Sequence, residues 1–197
     1  GQPDWQETDL QCLRLVTTGS SIVPHSLIEA WHDRGVPVIQ VYGLTETGPV
    51  ALYQRSEEAV NSVGSSGRGA LHTELRIVND SGMDVEQEES GELLLRGPNL
   101  FREYWKDPEA TKEAIQDDWF RTGDIGYRDK DGFVYINDRK KDVVISGGEN
   151  IYPAELEQVL DEIDGISEAA VVGTADAKWG EIPVAIVVLN KGAEITT

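Results

Sequence analysis

The stretch Asp138-Arg139-Lys140-Lys141-Asp142-Val143-Val144-Ile145-Ser146-Gly147-Gly148-Glu149-Asn150-Ile151-Tyr152-Pro153-Ala154-Glu155-Leu156-Glu157 decides the fold of this chain. Its charged opening, Asp138 to Asp142, parts the apolar, strand-like Phe133-Val134-Tyr135-Ile136 from a second apolar run, Val143-Val144-Ile145. A solvated connection between two buried strands is expected. Gly147-Gly148 then supplies a turn in which positive φ, or close approach of another molecule to the backbone, meets no side chain. Pro153 fits the first turn of a helix whose Leu156, Val159, Leu160 and Ile163 share one face, and Glu155 and Glu157 suit its electropositive start. The local order is strand, glycine turn, helix. On composition alone, a surface loop joining ordinary elements accounts for it equally well.

Upstream, residues 1–60 behave as α/β. Leu13 to Val16 is predicted as a short strand, Gly19-Ser20-Ser21 as a turn, and Leu27, Ile28 and Trp31 lie at helical spacing after Pro24, with Gly35 as the stop. Val36 to Tyr42 follows as a buried strand, so a parallel sheet with small-residue loops at the strand ends is expected, where ligands usually bind in such sheets. Residues 61–138 are rich in short strands and turns: Leu75–Val78, Glu92–Arg96, and Ile125–Arg128 joined across Asp129-Lys130-Asp131-Gly132 to Phe133–Ile136. They predict a small β-barrel or strongly twisted sheet, interrupted by a helix from Asp107 as N-cap and Pro108 to about Gln116. Residues 139–197 run strand, helix, strand, strand, ending on Ala169–Val172 and Val184–Leu189, an α+β unit that is incomplete as a layered fold.

With 197 residues, 39% of them hydrophobic, the chain has enough material for one domain or one and a fraction around a real core. No apolar run approaches the roughly twenty residues that cross a bilayer, so no integral membrane segment is expected, and Gly1-Gln2-Pro3-Asp4 carries no secretory pattern. The single cysteine, Cys12, makes neither an internal disulfide nor a metal cluster, and a cytoplasmic location is expected. A net charge of -19 repels nucleic acid and anionic lipid, so neither is an expected partner.

Chemistry concentrates in Tyr42-Gly43-Leu44-Thr45-Glu46-Thr47-Gly48, directly after the buried strand. Tyr42 offers a face for a purine, Thr45 a hydroxyl for a phosphate oxygen, and Glu46 a hard oxygen ligand for Mg²⁺. A polar loop with a capping threonine is the structural alternative. Trp119-Phe120-Arg121-Thr122-Gly123-Asp124 ends in a carboxylate with two acceptor oxygens; a turn aspartate capping a strand is its alternative.

Together these strings resemble the adenylate-forming superfamily of acyl-CoA synthetases, adenylation domains and luciferase-like enzymes, most closely a fatty acyl-CoA synthetase. The matching blocks are Tyr42–Gly48, Gly91–Pro98 with Tyr104 and Pro108–Thr111, Thr122-Gly123-Asp124, Asp138–Glu157, and Lys178–Ala185, in family order. The resemblance implies the end of a large α/β domain, parallel-sheet portion plus small β-barrel, followed by a mobile C-terminal lid. It implies that ATP, Mg²⁺, coenzyme A and a small carboxylic acid are the ligands: an acyl-AMP forms first, then a thioester. Nucleotide contacts fall on Gly19, Ser20, Ser21, Gln40, Val41, Tyr42, Gly43, Leu44, Thr45, Asp124 and Arg139, with Asp124 accepting from both ribose hydroxyls. Thr45 and Glu46 are catalytic, Glu46 holds the metal, Lys141 is the hinge, and Ser146, Gly147 and Gly148 approach coenzyme A.

Two departures stand beside this agreement. Glu103 occupies a position where many relatives have glycine, and Glu149 one where some use a basic residue near the nucleotide. The family's Ser/Thr/Gly-rich phosphate loop ending in lysine is not in this sequence, nor is its late catalytic lysine, for which Lys191 comes too early. The chain is therefore expected to be a fragment, by itself inactive, lacking upstream and downstream parts of its own enzyme. Loading of a carrier protein instead of coenzyme A, or a noncatalytic module that binds AMP or acyl-AMP, are the alternatives.

Overall fold

The computed structural model describes residues 4–21 and 23–193. A first sheet carries β1 (Val16–Thr18), β2 (Val38–Tyr42), β3 (Leu52–Tyr53) and β4 (Arg68–Gly69) in that spatial order, with helix α1 (His25–His32) crossing from β1 to β2. A second, five-stranded sheet carries β5 (Glu74–Val78), β6 (Gly91–Arg96), β7 (Ile115–Gln116), β8 (Trp119–Arg128) and β9 (Val134–Arg139), with α2 (Pro108–Ala114) before β7. A third carries β10 (Val144–Ser146), β11 (Glu149–Ile151), β12 (Ile166–Asp176) and β13 (Gly180–Leu189) in the order β11-β10-β13-β12, with α3 (Pro153–Asp161) packed on β12.

The expected parallel sheet is reduced to one parallel pair, β1 with β2; β3 and β4 continue it antiparallel. The strand expected from Leu13 to Val16 lies further on. Its ladder runs Val16↔Val38 to Thr18↔Gln40 and begins where Val16 donates to the Pro37 carbonyl at 2.9 Å. Proline has no N–H to extend the pairing, so Leu13 and Leu15 stay outside the strand. Helix α1 ends where Gly35 was expected to stop it. Gly35 has φ +73°, and Val36 donates back to the Trp31 carbonyl at 3.1 Å, a left-handed close that a side chain would strain.

The second sheet follows the sequence more closely. The Asp107 side chain accepts from Ala110 N–H at 3.0 Å, the expected cap of α2, although the helix gives way to β7 at Ile115, short of Gln116. The strand expected at Ile125–Arg128 is the second half of a ten-residue β8 whose buried positions alternate. Leu52 from the first sheet meets Ile77, Leu93 and Val134 from the second in one buried cluster, and Tyr42, Leu75, Val85 and Ile136 pack against it. A bridge between Gly67 and Val134, with Ser66 donating to Val134 O at 2.8 Å, stitches the two sheets.

In the third sheet the Gly147-Gly148 turn, both residues at positive φ, closes a β10–β11 hairpin that the sequence did not reveal as paired. Helix α3 starts at Pro153 as expected, yet its apolar stripe is open: Leu156 is 38% exposed, Val159 61% and Ile163 44%. Its inner side is made instead by Pro153, Ala154 and Glu157, whose carboxylate accepts from Val171 N–H at 2.8 Å.

Leu93, fully buried where both sheets meet, is the test of that shared core. Leu93→Ala is expected to lower unfolding stability by about 2–5 kcal/mol in a urea titration, and the loss is expected to reach the first sheet and the second in one transition.

Candidate functional site

A cleft of about 270 Å³ opens at the end of the first sheet, floored by β2 and its following loop, walled by the Gly19–Ser21 turn, and bounded on the far side by β8, β9 and α3. Ten of the sequence-selected residues line it: Gly19, Ser20, Ser21, Gln40, Val41, Tyr42, Gly43, Leu44, Asp124 and Arg139. The glycines are there for close approach. A Cβ on Gly19 would stand 2.5 Å from the Val41 carbonyl oxygen, and one on Gly43 would stand 1.7 Å from that of Pro49. Neither backbone can retreat without breaking the strand end, so both walls require glycine.

Asp124 is the centre of the cleft. Along β8 the register with β6 slips between Glu92 and Leu94, which face Ile125 and Arg121 respectively, so Thr122, Gly123 and Asp124 together oppose Leu93. Gly123 takes φ +70° in this bulge, and the Thr122 hydroxyl both donates to Leu93 O at 2.9 Å and accepts from Asp124 N–H at 3.0 Å. Bulges re-aim side chains next to sites, and this one turns Asp124 toward the first sheet. There Tyr42 Oη donates to Asp124 Oδ2 at 2.5 Å, while Arg139, its cross-strand partner on β9, brings Nε to Oδ1 at 2.8 Å.

Burial raises the Asp124 carboxyl above the ordinary carboxylate range, the Tyr42 hydrogen bond and the Arg139 charge opposing it and the Asp138 and Glu92 carboxylates adding to it. Burial and the facing Asp124 carboxylate push the Tyr42 hydroxyl far up as well, so it remains a donor. Gln40 adds an acceptor: its side-chain Oε1 is buried and finds no hydrogen-bond partner among the described residues. Buried polar atoms are normally paired, so this acceptor stands out among the residues that line the cleft.

Thr45 and Glu46 lie just beyond the lining, in a 3-10 turn, Thr45–Thr47, that the Thr47 hydroxyl braces by donating to Leu44 O and accepting from Leu44 N–H, each at 2.9 Å. Thr45 is exposed. Glu46 is held by its backbone, which accepts from Phe101 N–H at 2.8 Å, and by Tyr104, whose hydroxyl donates to Oε1 at 2.9 Å. Among the described residues no group of three acidic, histidine or cysteine side chains forms a metal cluster. Glu46 would thus be a lone protein ligand, which suits Mg²⁺, an ion usually held by one or two carboxylates with substrate phosphates and water.

Lys141, Ser146, Gly147 and Gly148 do not reach this cleft. Lys141 is exposed in the turn after β9 and borders a separate hollow with Val144 and Val171, and the other three form the β10–β11 hairpin. Sequence reasoning missed Asp138, His25 and Gln158, which also line the cleft. Asp138 had a signal in its place at the end of β9; His25 and Gln158 had none, since α1 and α3 come together only in the fold. It also missed the Lys140 bridge, Nζ to Asp80 Oδ1 at 2.9 Å and to buried Glu92 Oε2 at 3.2 Å, which ties the turn to the second sheet.

Fold and cleft together define a mixed α/β scaffold of the adenylate-forming kind. The chain belongs to the AMP-binding enzyme family: residues 1–105 match that family's model and residues 155–197 match the model of the AMP-binding enzyme C-terminal domain. It is 51% identical over 191 residues to an indoleacetate–CoA ligase of Aromatoleum aromaticum, covering 97% of this chain and 38% of that relative. It is 42% identical over 189 residues to the long-chain-fatty-acid–CoA ligase FadD13 of Mycobacterium tuberculosis, covering 96% and 37%. Among solved structures it resembles o-succinylbenzoate CoA synthetase of Bacillus subtilis in complex with its acyl-adenylate intermediate, at TM-score 0.89 and 39% identity over 96% of this chain and 39% of that one. The same synthetase in complex with ATP and magnesium ion matches at TM-score 0.88 and 38% identity, over 96% of this chain and 40% of that one. The chain thus spans about two fifths of the length of these relatives. No helix among the described residues is long and apolar enough to cross a membrane.

The raised Asp124 sets a pH test. A buried acid whose native pKa lies above its unfolded value favours the fold when protonated, and that contribution is lost as pH rises through the native value. The ionised carboxylate therefore costs stability at neutral pH. Asp124→Asn is expected to melt no lower than the parent at pH 7, and the two melting temperatures are expected to converge on acidification to about pH 4. A variant that melts far lower at pH 7 would show instead that the Tyr42 and Arg139 contacts outweigh burial.

Proposed function

We propose that this chain is the nucleotide-facing part of a carboxylic acid:CoA ligase, which condenses an acid with ATP to an acyl-adenylate and pyrophosphate and then passes the acyl group to coenzyme A. The carrying observation is the Tyr42–Asp124–Arg139 constellation in the lining of a glycine-walled cleft. In this proposal residues 1–60 are the end of the α/β core, 61–138 the β-rich subdomain and 139–197 the start of a lid that turns about Lys141. The Tyr42 ring, held against the core cluster, stacks on adenine; the Gln40 acceptor receives a base or ribose donor; and Asp124 accepts from the ribose hydroxyls. Arg139 keeps Asp124 ionised and faces the sugar-phosphate. Thr45 holds a phosphate oxygen, and Glu46, oriented by Tyr104, holds the Mg²⁺ that neutralises phosphate charge. Ser146, Gly147 and Gly148 serve the coenzyme A half-reaction in a second lid position.

The acid is the finer question. A fatty acid is supported by the 42% identity to the long-chain-fatty-acid–CoA ligase, and an arylacetic acid by the 51% identity to the indoleacetate–CoA ligase. The single, exposed Cys12 favours a reducing, cytoplasmic setting.

The deciding assay is acid-dependent exchange of label between pyrophosphate and ATP by the longer protein, over a panel of fatty, arylacetic, aryl and short-chain acids. Exchange with one class names the substrate, and silence across the panel would overturn the ligase. Thioester formation with coenzyme A but not with a carrier protein is expected in the second half-reaction. Lys141→Pro, by restricting the pivot, is expected to slow thioester formation far more than adenylate formation. Equal losses would count against Lys141 as the pivot.

A further inference from the structure

Helix α3 begins without a cap of its own: Tyr152 occupies the N-cap position and its side chain makes no capping hydrogen bond. The missing acceptor comes from β9. Asp138 Oδ2 accepts from Ala154 N–H at 3.0 Å, across sixteen residues of chain and from the other side of the 139–142 turn, while Oδ1 accepts from Arg139 N–H at 2.7 Å. One residue earlier, Asn137 Nδ2 donates to Glu155 Oε1 at 2.7 Å. The start of α3 is thus tied at two adjacent points to the strand that carries Arg139. One turn further along, Gln158 lines the same cleft as Asp124 and Asp138.

Resting on the nucleotide assignment made above, we propose that Asp138 is a positioning residue: a cap supplied across the hinge that docks α3 on β9 and sets Gln158 as a wall of the nucleotide cleft. Any turn of the lid about the hinge must break this cap, because Asp138 belongs to the second sheet and Ala154 to the helix packed on the third. An open helix N-terminus then returns to water or to another acceptor. Docking of α3 and occupancy of the cleft are therefore linked, each strengthening the other by the same factor. Nothing in the motif string separates this role from that of an ordinary turn aspartate; the acceptor and donor meet only in the fold.

The test is amide hydrogen exchange on the 197-residue chain, read at Ala154 to Gln158 with Leu93 and Leu95 as internal reference. In Asp138→Ala without nucleotide, exchange in the first turn of α3 is expected to quicken by roughly three- to thirtyfold, the worth of a helix cap, while the reference amides hold. Asp138→Asn, which keeps an acceptor oxygen, is expected to retain most of the protection. Gln158→Ala is expected to weaken AMP binding and leave α3 exchange as it is. In the parent, AMP is expected to slow exchange at Ala154. Unchanged α3 exchange in Asp138→Ala with intact reference amides would overturn the proposal. Should that variant fail to fold, Asp138→Ser, whose shorter side chain ends short of the Ala154 amide, decides in its place: quickened exchange at Ala154 with intact reference amides supports the cap and unchanged exchange overturns it. Absence of AMP binding by calorimetry in a chain whose Ala154 amide does respond to Asp138→Ala would overturn the nucleotide assignment alone and leave the cap standing, whereas AMP binding without a change at Ala154 would overturn the linkage.

Discussion

One buried carboxylate organises this molecule. Asp124 receives a hydroxyl from Tyr42 at the end of the first sheet and a guanidinium from Arg139 at the end of β9. It is placed there by a bulge in the second sheet. Three parts of the chain that are distant in sequence meet on its two oxygens. Each partner is itself held: Tyr42 by the Leu52, Ile77, Leu93 and Val134 cluster, Asp124 by the Thr122 hydroxyl, and Arg139 by its pairing with Asp124 along β9. Burial that raises the carboxyl works against folding at neutral pH, while the Tyr42 hydrogen bond and the Arg139 charge oppose that rise.

What was legible in the sequence was local. Proline and glycine at helix ends, the Asp107 cap and the Asp129 turn each announced themselves because their chemistry acts within a few residues; Asp129 Oδ1, for instance, accepts from both Asp131 N–H and Phe133 N–H. Strand limits were less legible. Leu13 to Val16 has the composition of a strand, but pairing is a property of two segments, and Pro37 on the partner ends it at Val16. The apolar stripe of α3 promised burial that the described residues do not provide.

The same division runs through the site. Gly43, Tyr42, Asp124 and Arg139 were visible as members of contiguous strings, and the resemblance gave them roles. Their mutual distances were not visible, nor was the engagement of Asp124 by both Tyr42 and Arg139. Tyr104 behind Glu46, Glu92 beneath Lys140, and Asp138 beneath α3 are contacts between residues sixteen to fifty-eight positions apart. No spacing rule reaches them. The turn after β9 shows this well: Arg139 and Lys140 are tied to the second sheet and Asp138 to α3, with Lys141 exposed beside them.

The central claim, that Asp124 recognises the ribose of a nucleotide, is tested most directly by calorimetric titration of the chain with AMP and with 2′,3′-dideoxy-AMP, each against the parent and Asp124→Asn. The account predicts that the parent prefers AMP to the dideoxy analogue by about tenfold or more, as expected for hydrogen bonds to a charged acceptor. It also predicts that Asp124→Asn erases most of that preference while binding the analogue about as well as the parent does. Equal binding of the two ligands by the parent, or a preference that survives the substitution, would contradict it.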